Sequence, residues 1–430
     1  MKLPYVKKRL VALTLLLCGS LPAQAQLSLP QLPQLPLPRG VGPLDLDGLR
    51  RPAQGLLDRT PLPELGSLRL ETVRSLLRRH PGVLEADPRG EPVVKGEVLA
   101  WSPHAKALEL AASLGATMVR DERLPGLDER VVAWRVPPGM SSAGLLERLR
   151  AIDPEGSYDF NHVYTGSGQA TEALPPGAGA QRVGLVDSGV EAGHEVFEGV
   201  DVRRWGCDGR ALPSAHGTAV AALMVGRSEH LRGAAPGASL YAADVYCDSP
   251  AGGAADRIAA ALGWLAQQGV GVINLSLVGP PNALLGRAVA GMQARGHLLV
   301  AAVGNDGPNA PPLYPASYPG VVGVTGVDRR GQPLPEAARG PQVMFAAPGS
   351  QMVSAAAGAP PYRQVRGTSF AAPIVAARLS VSLPRPDKAG AARAIEQLAR
   401  EAGGANPVRD PATGFGIVGA RLRVDPARLR

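Results

Sequence analysis

Aromatic residues are scarce in this chain of 430 residues, at 4% against a hydrophobic share of 45%. A core must therefore be packed mainly from alanine, valine and leucine. The formal net charge is +8, but no basic run is long enough to indicate nucleic-acid binding, so nucleic acid is not an expected partner. No apolar run after the N-terminus reaches the length of a membrane-spanning helix, and we expect no stable membrane insertion.

The N-terminus has the pattern of a secretory signal. The basic start Lys7-Lys8-Arg9 precedes the apolar stretch Leu10–Cys18, and Ala23-Gln24-Ala25 then forms an A-x-A cleavage pattern. The apolar stretch is too short to cross a bilayer, and bulky Leu17 disfavours lipid attachment at Cys18. We therefore predict a signal peptide at 1–25 and an exported protein, either secreted or periplasmic.

Cysteine is rare as well, with three residues in the whole chain. After removal of the predicted signal, Cys207 and Cys247 remain. An oxidising compartment permits a disulfide between them, and two separate half-buried thiols fit the sequence equally well.

Composition divides the remaining chain into four segments. Residues 26–91 are a Pro/Leu-rich spacer with a short amphipathic helix, 92–166 a small α+β domain, 167–180 a linker rich in Gly, Ala and Pro, and 181–430 a large domain.

The pattern within 92–166 predicts six elements in the order βαββαβ, which is ferredoxin-like. The strands are Val93–Trp101, Thr117–Arg120, Arg130–Val136 and Ser157–Tyr164, and the helices are Pro103–Leu114 and Ser141–Ile152. Ser141 is the predicted cap of the second helix.

From residue 181 onward, short apolar strands alternate with helices. This alternation predicts an α/β fold with a mostly parallel sheet covered by helices on both faces. The predicted strands are Val183–Asp187, Ser239–Tyr246, Gly271–Leu277, His297–Val303 and Val321–Val327. The predicted helices are 216–225, 254–268, 282–295, one beginning near Ser369, and Lys388–Arg400.

Four polar side chains stand where such a fold builds its sites, at strand ends and helix starts. Asp187 ends an apolar strand, His216 begins a helix of small residues, and Asn305 follows another buried strand. Ser369 lies in Gly367-Thr368-Ser369 before a helix, where free backbone N–H groups and the helix dipole favour an oxyanion. A serine hydroxyl needs a base to take its proton, and an acid and a second oxyanion donor complete the set.

The order Asp, His, Asn, Ser, each within its own motif, resembles the subtilisin-like serine proteases, or subtilases. Asp187 lies in V-D-S-G, His216 in H-G-T, Asn305 in A-x-G-N and Ser369 in G-T-S-x-A-x-P. The segment around Ile273–Leu277 resembles the strand against which this family lays a substrate, and Gly414–Ala420 resembles its closing segment. The likeness spans roughly residues 180–422.

The resemblance implies a serine endopeptidase that acts on polypeptides through an acyl-enzyme. Asp187, His216 and Ser369 would form the triad, with Asn305 as oxyanion donor. It also implies the following substrate-binding residues: Ser276, Leu277, Val278, Gly279, Ala302 and Gly304.

The resemblance also bears on partners and cofactors. Residues 92–166 resemble the propeptides that precede subtilase catalytic domains, which implies a zymogen whose own propeptide domain plugs the site. We expect a monomer without a cofactor. Relatives often bind Ca²⁺, but no Asp-x-Asp-x-Asp-Gly loop is present, so a structural calcium site stays unassigned.

Several positions affect substrate choice or depart from the family pattern. Ala219 replaces a histidine common three residues after the catalytic one. Val278 stands where many relatives have glycine, which predicts a narrow pocket for small or medium P1 residues. Asp306 near that pocket would tolerate a basic P1 residue. Tyr164 suits such a pocket badly, so we expect self-processing within Thr165–Ala180 or none.

Two other functional classes compete with this interpretation. One is a non-catalytic subtilase-like binding protein, against which the complete triad argues. The other is a different serine hydrolase such as an esterase, but its G-x-S-x-G elbow would have Asp and His after the serine, whereas in this chain both precede it.

Overall fold

The computed structural model describes residues 62–166, 169–171 and 181–422. The predicted signal peptide, the spacer up to residue 61 and most of the predicted linker lie outside the described residues. In the part of the chain that is described, no helix combines the length and apolarity needed to cross a membrane.

The smaller domain is an antiparallel sheet with two helices, entered through a further helix and a short strand. Its elements are α1 (Leu62–Arg79), β1 (Leu84–Ala86), β2 (Pro92–Trp101), α2 (Ala105–Ser113), β3 (Thr117–Leu124), β4 (Glu129–Arg135), α3 (Ser142–Ile152) and β5 (Ser157–His162). The strands β5, β2, β4 and β3 lie side by side in that order, and β1 also pairs with β2. From β2 to β5 the elements follow the predicted βαββαβ order.

The two helices α2 and α3 cover this sheet with small and branched side chains. Ala107, Ala111, Leu145 and Leu149 are fully buried in one cluster with strand residues. The Oγ of Ser141 accepts a hydrogen bond from the backbone N–H of Gly144 at 3.1 Å, so the predicted cap is formed. β1 was not expected from the sequence. The predicted amphipathic helix was marked by apolar residues from Leu68 to Leu77, and α1 begins earlier, at Leu62.

Two short strands follow the small domain, and a large α/β domain begins at residue 181. The elements are β6 (Thr165–Gly166), β7 (Gln169–Thr171), β8 (Arg182–Asp187), β9 (Val202–Trp205), α4 (Ala215–Val225), β10 (Ser239–Asp244), α5 (Ala255–Gln267), β11 (Val272–Leu275), β12 (Leu277–Val278), α6 (Ala283–Ala294), β13 (Leu298–Ala302), β14 (Val322–Val327), β15 (Val343–Pro348), β16 (Met352–Ala355), β17 (Tyr362–Arg366), α7 (Thr368–Ser382) and α8 (Lys388–Gly403).

The large domain is built on a seven-stranded sheet in the order β15-β14-β13-β11-β8-β10-β9, and every pairing in it is parallel. Two clusters of fully buried apolar side chains cover its faces, one with α4 and α7 and the other with α5 and α6. The predicted fold class is therefore confirmed. Since all seven strands run in one direction, the residues that follow them meet at one edge.

Three parts of the large domain differ from the sequence prediction. The edge strands β9 and β15 were not predicted, because exposed Arg203 and Arg204 in β9 and a final proline in β15 weaken the apolar signal. The β16–β17 hairpin was also missed. The predicted strand Gly271–Leu277 is divided at Ser276, where the chain leaves the sheet and β12 pairs with β6 instead.

The two domains are joined by buried polar contacts. Arg120 of β3 pairs with Glu97 of its own sheet and donates from Nε to Asp256, in the first turn of α5, at 2.6 Å. Asp159 of β5 accepts from the backbone N–H of Ala283 at 2.8 Å, at the start of α6. Because an unpaired buried charge would be costly, these contacts hold the small domain in one position on the large one.

Candidate active site

Asp187 and His216 lie together at the carboxyl edge of the sheet. Asp187 is the last residue of β8 and is 1% exposed, and His216 is the second residue of α4. The Nδ1 of His216 is 2.8 Å from Oδ1 of Asp187, which also accepts from the backbone N–H and hydroxyl of Ser188. These contacts fix the carboxylate and, through it, the orientation of the imidazole ring.

The electrostatics favour a proton on the imidazole more than in free histidine. Burial disfavours the charged ring, but the charge of Asp187 and its hydrogen bond outweigh burial and raise the pKa of His216 above its ordinary value. The Nε2 atom is inaccessible to solvent and has no hydrogen-bond partner among the described residues. The ring lies 5.4 Å from that of Phe370, measured between centroids, so the imidazole lies beside the start of α7.

Ser369 is the second residue of α7 and is fully buried. Its Oγ donates to the backbone carbonyl of Ser276 at 3.2 Å, and the hydroxyl of Ser276 donates to the carbonyl of Ser369 at 2.8 Å. The carboxamide of Asn274 donates to the Ser276 hydroxyl at 2.8 Å. This reciprocal pair ties the serine to the end of β11.

Asn274 was missed as a positioning residue in the sequence. Its signal was present, because a carboxamide in the middle of an otherwise apolar buried strand needs a partner.

Asn305 is held by the residue that precedes Ser369. Its Oδ1 accepts from the backbone N–H of Thr368 at 3.0 Å, and the Thr368 hydroxyl accepts from the backbone N–H of Gly304 at 3.2 Å. Because Oδ1 is used in this way, the amide nitrogen of Asn305 is the end left to donate to an incoming oxyanion. Thr368 was not identified from the sequence as a positioning residue.

The structure brings most of the predicted substrate-binding residues beside a segment of the same chain. In the antiparallel pair β12–β6, Leu277 lies opposite Gly166 and Val278 opposite Thr165. Gly279 lies against Tyr164, while Ser276 holds Ser369 as described. Ala302 ends β13 and Gly304 follows it, next to Asn305.

The described residues 163–166 and 169–171 contact the large domain on either side of Ser369. The backbone N–H of Tyr164 donates to the carbonyl of Gly253 at 2.9 Å. A Cβ placed on Gly166 would lie 3.6 Å from the His216 ring. Beyond this point Gln169 pairs antiparallel with Arg366, three residues before Ser369. The chain therefore pairs with the large domain on both sides of the serine.

Asp306 lies beside a cation from the smaller domain. Its carboxylate is 3.6 Å from the Nε of Arg69 in α1, and Arg69 also makes a double hydrogen bond with Glu91. Burial raises the pKa of Asp306 to about 6, the Arg69 charge opposes this and the Glu91 charge adds to it. Arg69 of the smaller domain is thus the cation beside Asp306 in this structure, and the tolerance of a basic P1 residue stays a prediction.

The two cysteines of the large domain form a disulfide, with 5.1 Å between the Cα atoms of Cys207 and Cys247. Cys207 follows the edge strand β9, and Cys247 follows β10. Together with Asp244 they have the spacing of metal ligands among the described residues, but thiols joined in a disulfide do not bind a metal in that way.

Comparisons with known proteins agree on the large domain. Residues 179–416, more than half of the chain, match the model of the subtilase family. The chain is 35% identical to thermitase from Thermoactinomyces vulgaris over 218 residues, which are 48% of this chain and 77% of thermitase. It is 31% identical to subtilisin DY from Bacillus licheniformis over 233 residues, which are 51% of this chain and 83% of that protein.

A solved structure is similar over more of the chain. Fervidolysin from Fervidobacterium pennivorans has a TM-score of 0.64 and 20% identity, and the match covers 79% of this chain and 62% of fervidolysin. At this identity the likeness concerns the fold alone. The match covers more of this chain than residues 181–422 contain, so the similarity in fold includes part of the smaller domain.

Proposed function

Because this chain belongs to the subtilase family and is a serine endopeptidase, we propose that Asp187, His216 and Ser369 are its catalytic triad. The observation that carries this assignment is the 2.8 Å contact between His216 and Asp187 beside the start of the Ser369 helix. The Ser369 hydroxyl donates to the Ser276 carbonyl at 3.2 Å, and the proposed mechanism requires it to turn from this acceptor to Nε2 of His216. Catalytic hydrogen bonds commonly tighten in this way when substrate is bound.

The proposed reaction passes through an ester on Ser369. As Oγ attacks the scissile carbonyl carbon, its proton passes to Nε2 of His216, which then gives it to the departing amide nitrogen. Water attacks the ester, its proton passes through the same nitrogen back to Oγ, and a carboxylic acid is released. The side chain of Asn305 and the backbone N–H of Ser369 stabilise the oxyanion of each tetrahedral intermediate.

We further propose that the protein is made as a zymogen and cleaves itself between Ser167 and Gly168. Gly166 lies beside His216 on one side of Ser369, and Gln169 pairs with Arg366 on the other. Only three peptide bonds connect these two positions. The Ser167–Gly168 bond is the central one, and a serine before the cleaved bond fits the small pocket expected from Val278.

Intact mass and N-terminal sequencing of purified protein test this proposal. The wild type should yield a fragment that begins at Gly168, and Ser369→Ala should stay uncleaved and take no label from a fluorophosphonate. His104→Ala, in the smaller domain, is a matched control that should still be cleaved. Labelling of Ser369→Ala would refute the assignment of the nucleophile, and a wild type that neither takes label nor hydrolyses casein would favour a binding protein.

Export is the remaining part of the proposal. The signal pattern at 1–25 lies outside the described residues, and the Cys207–Cys247 disulfide supports an oxidising compartment. Fractionation of the producing cells tests it, since the processed protein should be found in the periplasm or the medium and not in the cytoplasm.

A further inference from the structure

Helix α1 lies outside the βαββαβ unit of the smaller domain, which begins at β2. Its residues Arg69, Val73 and Leu76 recur at intervals of three or four, so they share one face of the helix. Val73 is 3% exposed, and Arg69 and Leu76 are half-buried. This face of α1 is therefore covered over about two turns, and the residues that cover it belong to the two rims of the cleft.

The first rim contains Asp306. The Nε of Arg69 is 3.6 Å from the Asp306 carboxylate, and the two side chains are 13% and 19% exposed. Arg69 and Asp306 line one cavity together with Pro280, which follows β12 closely in the chain. Arg69 also donates two hydrogen bonds to Glu91, the residue before β2. The guanidinium thus ties α1 both to its own domain and to the β12 side of the cleft.

The second rim contains Ala254. Leu76 and Leu77, about 10 Å further along the helix, pack against an apolar cluster that includes Ala254 and Val163. Val163 forms an antiparallel bridge with Ala254, whereas the residues that follow it pair with β12. A strand pairs along two edges, so residues 163–166 lie between the two rims. α1 therefore crosses over this segment from one rim to the other.

We propose that α1 is a second inhibitory element, a strap that holds residues 163–166 in the cleft after self-cleavage and delays release of the smaller domain. The inference rests on the proposed function, because it takes the protein to be made as a zymogen. It goes further in assigning part of the inhibition to a helix outside the βαββαβ unit. The docking surface is Asp306 on one rim and Ala254 on the other, and its partner is the amphipathic α1 of this chain.

Release of the smaller domain must break both contacts of α1 as well as the strand pairs. Removing one partner of a shielded charge pair acts mainly on the dissociation rate, so Arg69→Ala should raise the rate of release by about 10-fold or more. Leu76→Ala removes apolar contact at the other end and should raise it by about five-fold or more.

The lag before full activity measures this release. The full chain is allowed to cleave itself, which intact mass confirms, and is then diluted into a fluorogenic peptide. α1 precedes the proposed cleavage site, so the large domain that is released is identical in every variant. Its final activity per fluorophosphonate-labelled site should therefore not change. Arg74→Ala, at an exposed position of α1, is the matched control and should keep the wild-type lag.

Salt gives a second measure of the Arg69 contact. Added salt should shorten the lag of the wild type more than that of Arg69→Ala, because ions screen the charge pair with Asp306. If either alanine variant fails to fold and cleave itself, Arg69→Lys or Leu76→Val replaces it. These variants keep the charge or most of the apolar volume, and their lags should still be shorter than that of the wild type.

The strap requires both of its ends, so a lag within about two-fold of the wild type at either position would overturn it. A wild type that is fully active as soon as it is cleaved would overturn it as well. Both results leave the proposed triad and self-cleavage intact. Absence of self-cleavage, labelling and peptide hydrolysis in the wild type would instead overturn the proposed function, and this inference with it.

Discussion

Replacing both members of the Cys207–Cys247 disulfide with serine should destabilise the protein by about 4 kcal/mol. The bond closes a loop with a sequence separation of 40 residues. The loop-closure entropy removed from the unfolded chain for a loop of that length gives about 4 kcal/mol at 25 °C. For a domain of this size, that loss corresponds to a fall in Tm of about 8–16 °C.

The effect should extend to substrate binding. Cys207 follows the edge strand β9, and Cys247 begins the segment that leads to Gly253, whose carbonyl accepts from Tyr164. Without the crosslink this side of the cleft is attached to the sheet edge more weakly. KM for peptide substrates should therefore rise more than kcat falls, because the three residues of the proposed triad lie on β8, α4 and α7.

Thermal unfolding in a Ser369→Ala background measures the stability change without self-cleavage. The parent protein in reductant is the control, and it should unfold at the temperature of the double variant, which should itself not respond to reductant. A Tm within about 2 °C of the oxidised parent would refute the loop-closure argument.

Three further predictions concern individual side chains of the site. Asn305→Ala should lower kcat by ~10²–10³ with little change in KM, a magnitude known for the equivalent donor in the related protein subtilisin. The rate of peptide hydrolysis per labelled active site measures this change. A kcat within a few-fold of wild type would show that Asn305 is not the oxyanion donor. Asp306→Asn should stabilise the Ser369→Ala protein by at most about 3 kcal/mol near pH 7 and have no effect on stability near pH 4. Burial raises the pKa of Asp306 to about 6. The protonated carboxyl therefore stabilises the fold below the pKa of the unfolded state, and this stabilisation is lost as the pH rises through 6. Asp128→Asn is the control, because Asp128 is exposed. Equal Tm shifts at both pH values for Asp306→Asn would show that burial of the Asp306 carboxylate does not cause the change in stability. Val278→Gly should widen the pocket and raise kcat/KM for peptides with Phe or Tyr before the cleaved bond by about 10-fold or more over those with Ser, and an unchanged profile would show that Val278 does not form the wall.

The smaller domain and the central strands could be predicted from local pattern alone. The strand predicted at Val183–Asp187 is present as Arg182–Asp187, and the helix predicted at 282–295 as Ala283–Ala294. Such elements are readable because apolar spacing within a few residues decides whether a segment can be buried as strand or helix. Edge strands such as β9 lacked that signal, since one side of an edge strand is not covered.

The motifs likewise marked where the chemistry would lie. Asp187, His216 and Ser369 follow or begin elements of a parallel sheet, so their convergence at one edge follows from chain order. The partners that hold them did not follow in this way. Asn274, Thr368 and the reciprocal contacts of Ser276 depend on which strands become neighbours.

The sequence by itself determined the fold class, the enzyme class and the elements on which Asp187, His216 and Ser369 lie, because these depend on residue type and short-range periodicity. Only the tertiary structure decided the register of Thr165–Gly166 against Leu277–Val278, the ion pair of Arg69 with Asp306, the pairing of Cys207 with Cys247, and the enclosure of Tyr164. Each of these joins residues tens to hundreds of positions apart. The disulfide depends on which strands of the large domain become neighbours, and the other three contacts depend on how the smaller domain and the segment after it pack against the large one. No local pattern encodes either arrangement.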